Sequence, residues 1–246
     1  MTAATPPETD IFPAANGFGT EGDHRLHVGE ADARGRALVA RLRYEVYVEE
    51  MGRDEPNADH AGRQVCDPDD TCGHLLMARE GECQKAVGTV RLQRSKTLSD
   101  FDRDFHGIAT LPAELDDCAG LTSKFMTSAV YRRGILPKML MLAVFECGLR
   151  HGHRLNFINC NRPLDKLFAR FGFRQLGERR QHPLYGDVAV MVLPISDLSF
   201  LRSIRSPFVP ILERLGEDED ATAMVREWAA GQGLQYWEEN AEPRQK

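Results

Sequence analysis

The stretch LTSKFMTSAVYRRGILPKMLMLAVFECGLRHG, residues 121–152, constrains the fold more than any other part of the chain. Alternating apolar and β-branched residues through Tyr131 predict a strand. An arginine-rich turn follows, and the apolar run after it predicts a helix that stops at Gly152. The N-terminus of such a helix presents unpaired N–H groups and a partial positive charge, so it is suited to a phosphate. Between Cys118 and Phe145 there is no acidic residue, while Lys124, Arg132, Arg133 and Lys138 are basic. That local field favours an anionic ligand, with a solvated basic turn as the plain alternative.

The rest of the chain supplies the elements around this unit. Residues 1–22, rich in Pro, Ala, Gly and Thr, read as a flexible arm. HRLHVGEA reads as a first strand, and residues 32–52 as a helix in which Leu38, Leu42 and Val46 recur every four residues and Gly52 is the stop. Arg43 and Tyr47 lie four apart on that helix, hence side by side. Residues 51–73 form a long polar loop, which in a compact domain points to function or mobility. HLLMARE and AVGTVRLQRS predict an antiparallel hairpin, with Arg91 on the face of Val87 and Thr89. SDFDRDFHGIATLPAEL reads only as a connection. RLNFINC is a further strand, NRPLDKLFARFG a short helix with Pro163 in its first turn and Gly172 as stop, and FRQLGE and VAVMVLPI complete a mixed sheet. The organisation expected is an arm over 1–22, an acyltransferase-like α/β domain over 23–196, and a helical extension with an acidic tail over 197–246.

Composition excludes several classes. At 246 residues, 42% hydrophobic and 28% charged, the chain is neither fibrous nor wholly disordered. No apolar run is long enough for a membrane helix, and the first residues lack a basic region followed by an apolar one, so the expected location is the cytoplasm. Six cysteines at irregular spacing, without a C-x-x-C, predict reduced thiols. Of the net charge of −6, the segment from Gly216 onward carries −5, leaving the body nearly neutral. Cys66, Cys72 and His74 match no standard zinc spacing, so no metal is expected. Nothing indicates nucleic acid as a partner.

The order of elements, with N-x-x-x-x-x-L-F-x-x-F-G-F at Asn161–Phe173, resembles the GCN5-related N-acetyltransferases over residues 24–196. The resemblance implies an α/β fold: a mixed, twisted sheet with splayed central parallel strands flanked by helices, the acyl carrier's pantetheine lying between those strands and its phosphate on the helix N-terminus. The usual Q/R-x-x-G-x-G/A loop keeps only Gly134 here, and Pro137 removes a donor. A loop with fewer amides but two arginines suits the single phosphate of a phosphopantetheine on an acyl carrier protein, and carrier proteins are acidic. The N-terminal half resembles the acyl-homoserine lactone synthases: Arg43-x-x-x-Tyr47, Asp67-x-x-Asp70, Arg91 and Leu121-x-x-Lys124 follow their frame. The family's Trp is missing, with Arg53 near its place, and its Glu is Leu121, departures that count against that family's nucleotide-like amine donor. Both halves, with LRYEVYVEEMG and the SPF after the last strand, are similar to bacterial long-chain N-acyl amino acid synthases.

The resemblance implies transfer of a long-chain fatty acyl group from acyl carrier protein to the amine of an amino acid. The acyl-carrier thioester, or acyl-coenzyme A, acts as co-substrate and no cofactor is tightly bound. Alternatives are an acetyl-coenzyme A-dependent N-acetyltransferase, an acyl-homoserine lactone synthase-like enzyme, and a non-catalytic acyl-carrier-binding module. A peripheral membrane contact through the acyl product is compatible with any of the acylating readings. Amine acylation needs the ammonium deprotonated and the tetrahedral oxyanion stabilised. Asp67 and Asp70 can hold the amine or accept its proton through water, with Glu50 as a further candidate base. Arg43 and Arg91 can grip a substrate carboxylate bidentately or pair with those aspartates, with Tyr47 and Lys124 beside them. Backbone amides of Ser123–Val130 are the expected donors to the thioester carbonyl. The donor-binding set is Phe125, Met126, Arg132, Arg133, Gly134, Lys138, Asn161 and Phe168. Phe168 stands where many relatives have a Tyr and cannot protonate the leaving thiolate.

Overall fold

A computed structural model describes residues 26–81 and 85–232. The expected arm over 1–22, Glu82 of the expected Gly81–Glu82 hairpin turn and the end of the acidic tail lie outside them. The contacts group the chain into two compact units: residues through Arg91 together with Lys124–Val144, and Leu92–Ser123 together with the chain from Phe145 onward. Strands β5 and β6 and helix α4 contribute to both.

The first unit opens with β1 (Leu26–Glu30) and α1 (Ala33–Arg43), whose N-cap Asp32 accepts from the Gly35 amide. The helix expected to run unbroken to Gly52 changes type at Tyr44, and Tyr44–Glu50 forms a π-helix. Its wide turn closes with Met51 N–H donating to Val46 O and Arg53 N–H to Tyr47 O. Gly52, with φ +63°, bonds Val48 O and ends the helix in the left-handed region, as its residue type predicts. The polar loop is not structureless. It holds a short hairpin, β2 (Ala58–Asp59) and β3 (Gln64–Val65), and a 3-10 turn over Pro68–Thr71 capped by Asp67.

Strand β4 (Gly73–Glu80) pairs antiparallel with β1, and β5 (Ala86–Arg94) lies beside it in the sheet. Arg91 and Thr89 do share a buried strand, but β5 is buried on both faces, so the alternation expected there is absent. One glycine explains how closely α4 (Leu136–Arg150) approaches β5. A Cβ on Gly88 would lie 2.9 Å from Leu140 and 3.2 Å from Leu136. The core of this unit joins α1, the π-helix and the strands through Val39, Leu42, Val46, Tyr47, Leu75 and Met126.

The second unit begins in the segment read only as a connection. Two short helices form there, α2 (Asp100–His106), capped by Ser99 and stopped by Gly107 at φ +75°, and α3 (Ala113–Asp117). Strand β6 (Ala119–Thr127) runs parallel to β7 (Leu155–Cys160). Their register extends over only three pairs, Ala119–Leu121 with Leu155–Phe157, followed by a buried Thr122–Asn156 side-chain bond. So short a parallel register fits the expected splay. After β7 come α5 (Arg162–Phe171), β8 (Arg174–Gln175), the unforeseen β9 (Arg180–His182) and β10 (Gly186–Pro194). The full sheet has the order β1-β4-β5-β6-β7-β10-β8, with β9 on β10.

Helices α6 (Leu198–Ser203), α7 (Val209–Leu215) and α8 (Glu219–Gly231) form the expected helical extension. Phe208 stacks on Phe145 at 3.9 Å, and Arg214 pairs with the fully buried Glu146, which also binds Arg150. No helix among the described residues is long and apolar enough to cross a membrane.

Candidate active site

The site assembles within the first unit, from four chain segments. Arg43, the last residue of α1, is 0% exposed and forks onto Asp70 of the 3-10 turn, Nη1–Oδ2 at 2.5 Å and Nη2–Oδ1 at 2.8 Å. Arg91 of β5 reaches the same turn, binding Asp70 at 3.2 Å and Asp67 at 2.9 Å, with Asp69 at 3.6 Å. Lys124 of β6 closes the ring on Asp67 at 2.9 Å. Three cations thus meet three carboxylates, and all but Asp69 are largely out of water. Buried charges persist only when so matched. Burial by itself would raise the Asp67 pKa, but the Lys124 and Arg91 charges outweigh it and hold the carboxyl well below the usual carboxylate range. Arg43 is pushed up: burial opposes its charge, and the Asp70 hydrogen bond and the charges of Asp70 and Asp67 more than compensate.

Of the two roles open to Arg43 and Arg91, the structure therefore shows ion pairing with the aspartates. Their forks are occupied, so neither guanidinium presents a vacant face to a substrate carboxylate. Asp67 is likewise a poor proton acceptor, since a strongly depressed pKa leaves little basicity.

Tyr47 is buried beside this cluster, with the Lys124 ammonium 5.9 Å and the Arg53 guanidinium 5.1 Å from its ring centroid. Tyr47 also acts on the Arg43 charge, so the two residues four apart lie near each other although the helix changes to a π-helix between them. Lys124 is one of three described non-glycine residues with positive φ, at +54°. Ser123, Lys124 and Phe125 are partly exposed in succession, so the pleat alternation of β6 is broken at this point.

The basic turn has a different character. Strand β6 stops at Thr127 rather than Tyr131, and Ala129–Tyr131 forms a 3-10 turn. The amides of Tyr131, Arg132 and Gly134 are spent on Ser128, Ala129 and Tyr131 carbonyls. Those of Arg133, Ile135, Leu136 and Lys138 enter no backbone bond among the described residues, and Pro137 has none to offer. Arg132 is bidentate to Glu50, with Nη2–Oε2 at 2.5 Å. The Arg132 hydrogen bond holds the Glu50 carboxyl below its ordinary range, so Glu50 too is a paired carboxylate rather than a free base. Arg133, Gly134 and Lys138 are exposed, as are Val130 (86%) and Ile135 (57%).

Other expected site residues have structural surroundings. Met126 lies in the first unit's core, and Phe125 is partly exposed. In the second unit, Asn161 is the N-cap position of α5 without capping it, its side chain donating to Tyr185 O. Phe168 is buried edge-on to Phe173. His74 binds Glu30, while Cys66 and Cys72 are exposed thiols. Asp69 and the stacking of Arg53 on Tyr47 were not foreseen. The acidic run CDPDD and the position of Arg53 were the only sequence signals for them.

Residues 42–142, which contain this whole cluster, match a family profile described as acetyltransferase (GNAT) domain. No curated protein sequence matches the chain. Solved structures do resemble it. The coenzyme A-dependent acyl-homoserine lactone synthase BjaI, with SAM and isopentyl-CoA, is 22% identical, covering 82% of this chain and 98% of its own, at a TM-score of 0.57. The acyl-homoserine lactone synthase LasI is 13% identical, covering 70% and 91%, at 0.56. FeeM, an N-acyl amino acid synthase from uncultured soil microbes, is 14% identical, covering 76% and 98%, at 0.56. The chain has the fold of the GCN5-related N-acetyltransferases, and its residues 42–142 match the profile of their acetyltransferase domain.

Proposed function

We propose that the protein is an N-acyltransferase that moves a long-chain fatty acyl group from the phosphopantetheine of an acyl carrier protein to the amine of an amino acid. The observation that carries the choice of donor is the corner before α4. Val130 and Ile135 stand exposed beside Arg132 and Arg133, in a stretch without a single acidic residue. An apolar and basic surface of this kind suits an acidic protein better than it suits coenzyme A alone. Arg133 and the amides of Arg133, Ile135, Leu136 and Lys138 receive the phosphate at the helix N-terminus, with Arg132 available once it leaves Glu50.

In the reaction the amine nitrogen attacks the thioester carbonyl carbon. The C–N bond forms, the C–S bond breaks, and the pantetheine thiolate leaves and takes up a proton while the former ammonium loses its protons to water. Backbone amides of the Ser123–Val130 segment, where Lys124 has a positive φ, serve as donors to the developing oxyanion in this reading. Asp67 stays ionised and holds the amine, a role that needs an acceptor of hydrogen bonds and not a base. Asp70 and Arg43 fix the turn that carries Asp67, and Arg91 bridges the two carboxylates.

The reading is tested by incubating the protein with palmitoyl carrier protein, palmitoyl-coenzyme A or acetyl-coenzyme A, plus a mixture of amino acids, and searching for new amides by mass spectrometry. N-palmitoyl amino acids formed from the carrier protein are expected. Turnover with acetyl-coenzyme A only would reject the carrier-protein donor, and no amide from any donor would reject acyl transfer in favour of a binding module.

A further inference from the structure

Among its described residues the first unit buries two acids, and only one of them has a counter-ion. Asp70 takes two arginines. Glu55, 8% exposed, receives no hydrogen bond or ion pair from any described residue. Its carboxylate oxygens are nevertheless not among the described atoms shut off from water without a partner, so solvent reaches them. The neighbouring acids differ. Glu45 is paired with Lys85, Glu49 with Arg63 and Glu50 with Arg132, while Asp54 is exposed. A buried charge without a partner is costly, so a carboxylate kept in this state calls for a cation that the folded chain does not supply. The backbone places Glu55 at the margin of the buried cluster. On one side Gly52 reverses the chain and the Arg53 N–H bonds the Tyr47 carbonyl, so the Glu55 Cα, two residues on, lies within roughly 7 Å of the Arg53 Cα. On the other, the Glu55 carbonyl accepts from the Ala58 amide at 3.0 Å, and Ala58 pairs with Val65, two residues before Asp67.

We infer that Glu55 is the anionic receptor for the ammonium group of the acceptor. The inference rests on the acceptor half of the proposed function and adds the charge which that half lacks. The carboxylates of the buried ring are balanced by Arg43, Arg91 and Lys124. Asp67 already accepts from Arg91, Lys124 and the Asp69 amide, so of roughly four lone-pair sites it has about one left for the amine and no unbalanced charge behind it. Glu55 supplies the missing charge to the same nitrogen. A metal ion in its place would need further ligands, and the described residues gather no group of three metal-ligating side chains that includes Glu55.

The test is calorimetric, in the absence of acyl donor, with the twenty free amino acids and the matching 2-hydroxy acids, which carry a hydroxyl in place of the ammonium, as probes against wild type, Glu55→Gln and Glu55→Asp. Wild type is expected to bind at least one amino acid about tenfold to a hundredfold more tightly than its 2-hydroxy acid, the worth of a charge-assisted pair. Glu55→Gln should bring the two within about twofold of each other while leaving hydroxy acid binding unchanged, and Glu55→Asp should retain part of the preference. Thermal melts give a second readout that needs no ligand. With no partner to strand, Glu55→Gln should melt no more than about 2 °C below wild type. Equal weakening of both probes, an unchanged preference in Glu55→Gln, a wild type that does not distinguish the two, or a larger fall in melting temperature would each overturn the inference. The outcomes separate from those of acyl transfer. Ammonium-dependent binding without amide formation would sink the enzymatic reading alone. Amide formation with an unaltered amino acid KM in Glu55→Gln would sink this one alone.

Discussion

Asp70→Asn is the substitution that most directly probes what holds the site together. Asp70 carries both bonds from the fully buried Arg43, at 2.5 and 2.8 Å, and a third from Arg91 at 3.2 Å. The amide is the same size but offers one acceptor where the carboxylate offers two, and no charge. Arg43 then remains buried without its hydrogen-bonded counter-ion, with only the more distant Asp67 acting on it, whereas Arg91 keeps its 2.9 Å contact to Asp67. Removing one partner of a buried pair costs about 3–5 kcal/mol, and the oxygen that Asn retains places this case near ~3. For a chain of this length each kcal/mol lowers the melting temperature by about 2–4 °C, so a fall of roughly 6–12 °C is expected. Thermal melts followed by circular dichroism, with urea midpoints as a check, measure it. Replacing both partners, Arg43→Met with Asp70→Leu, removes the stranded charge and should recover most of the loss, because a packed apolar pair often equals a buried ion pair. A single variant melting within about 2 °C of wild type would refute the claim that Asp70 neutralises Arg43. So would a double variant no better than the single.

Further outcomes follow from the same contacts. Glu50→Gln releases Arg132, and since an exposed pair is worth about 0.2–1 kcal/mol the apparent KM for the acyl donor should fall about two- to fivefold at most. Arg132→Ala with Arg133→Ala should raise that KM by at least about tenfold, and steady-state kinetics should show the amino acid KM unmoved in both variants. Asp67 has a folded-state pKa below its unfolded one, so its stabilisation is complete above about pH 4 and is lost as the pH falls further. Urea midpoints across pH 2.5–6 should therefore drop less steeply in Asp67→Asn than in wild type. Glu146, fully buried between Arg150 at 2.6 Å and Arg214 at 2.8 Å, ties α4 to α7. Glu146→Gln leaves two half-exposed arginines rather than a buried cation, and should cost only about 1–3 kcal/mol by chemical denaturation.

The parts of this molecule that the sequence made legible are those decided by short-range rules, and the parts it concealed are those decided by partners far along the chain. Gly52, Gly172 and Pro163 mark their helix ends because their backbone preferences act locally. The same rules were available for α2, where Ser99 caps and Gly107 stops a helix that its polar composition disguised as a connection. The π-helix left no such mark, since Leu38, Leu42 and Val46 keep their period of four while the backbone beyond Arg43 changes its hydrogen-bonding step. The frame of Arg43, Asp67, Asp70, Arg91 and Lys124 was visible as a set, but which cation meets which carboxylate depends on separations of more than twenty residues. That assignment alters the chemistry. Read from the sequence, two arginines were available to a substrate and two aspartates to a proton. In the folded chain they neutralise one another, and their residue types alone do not show it.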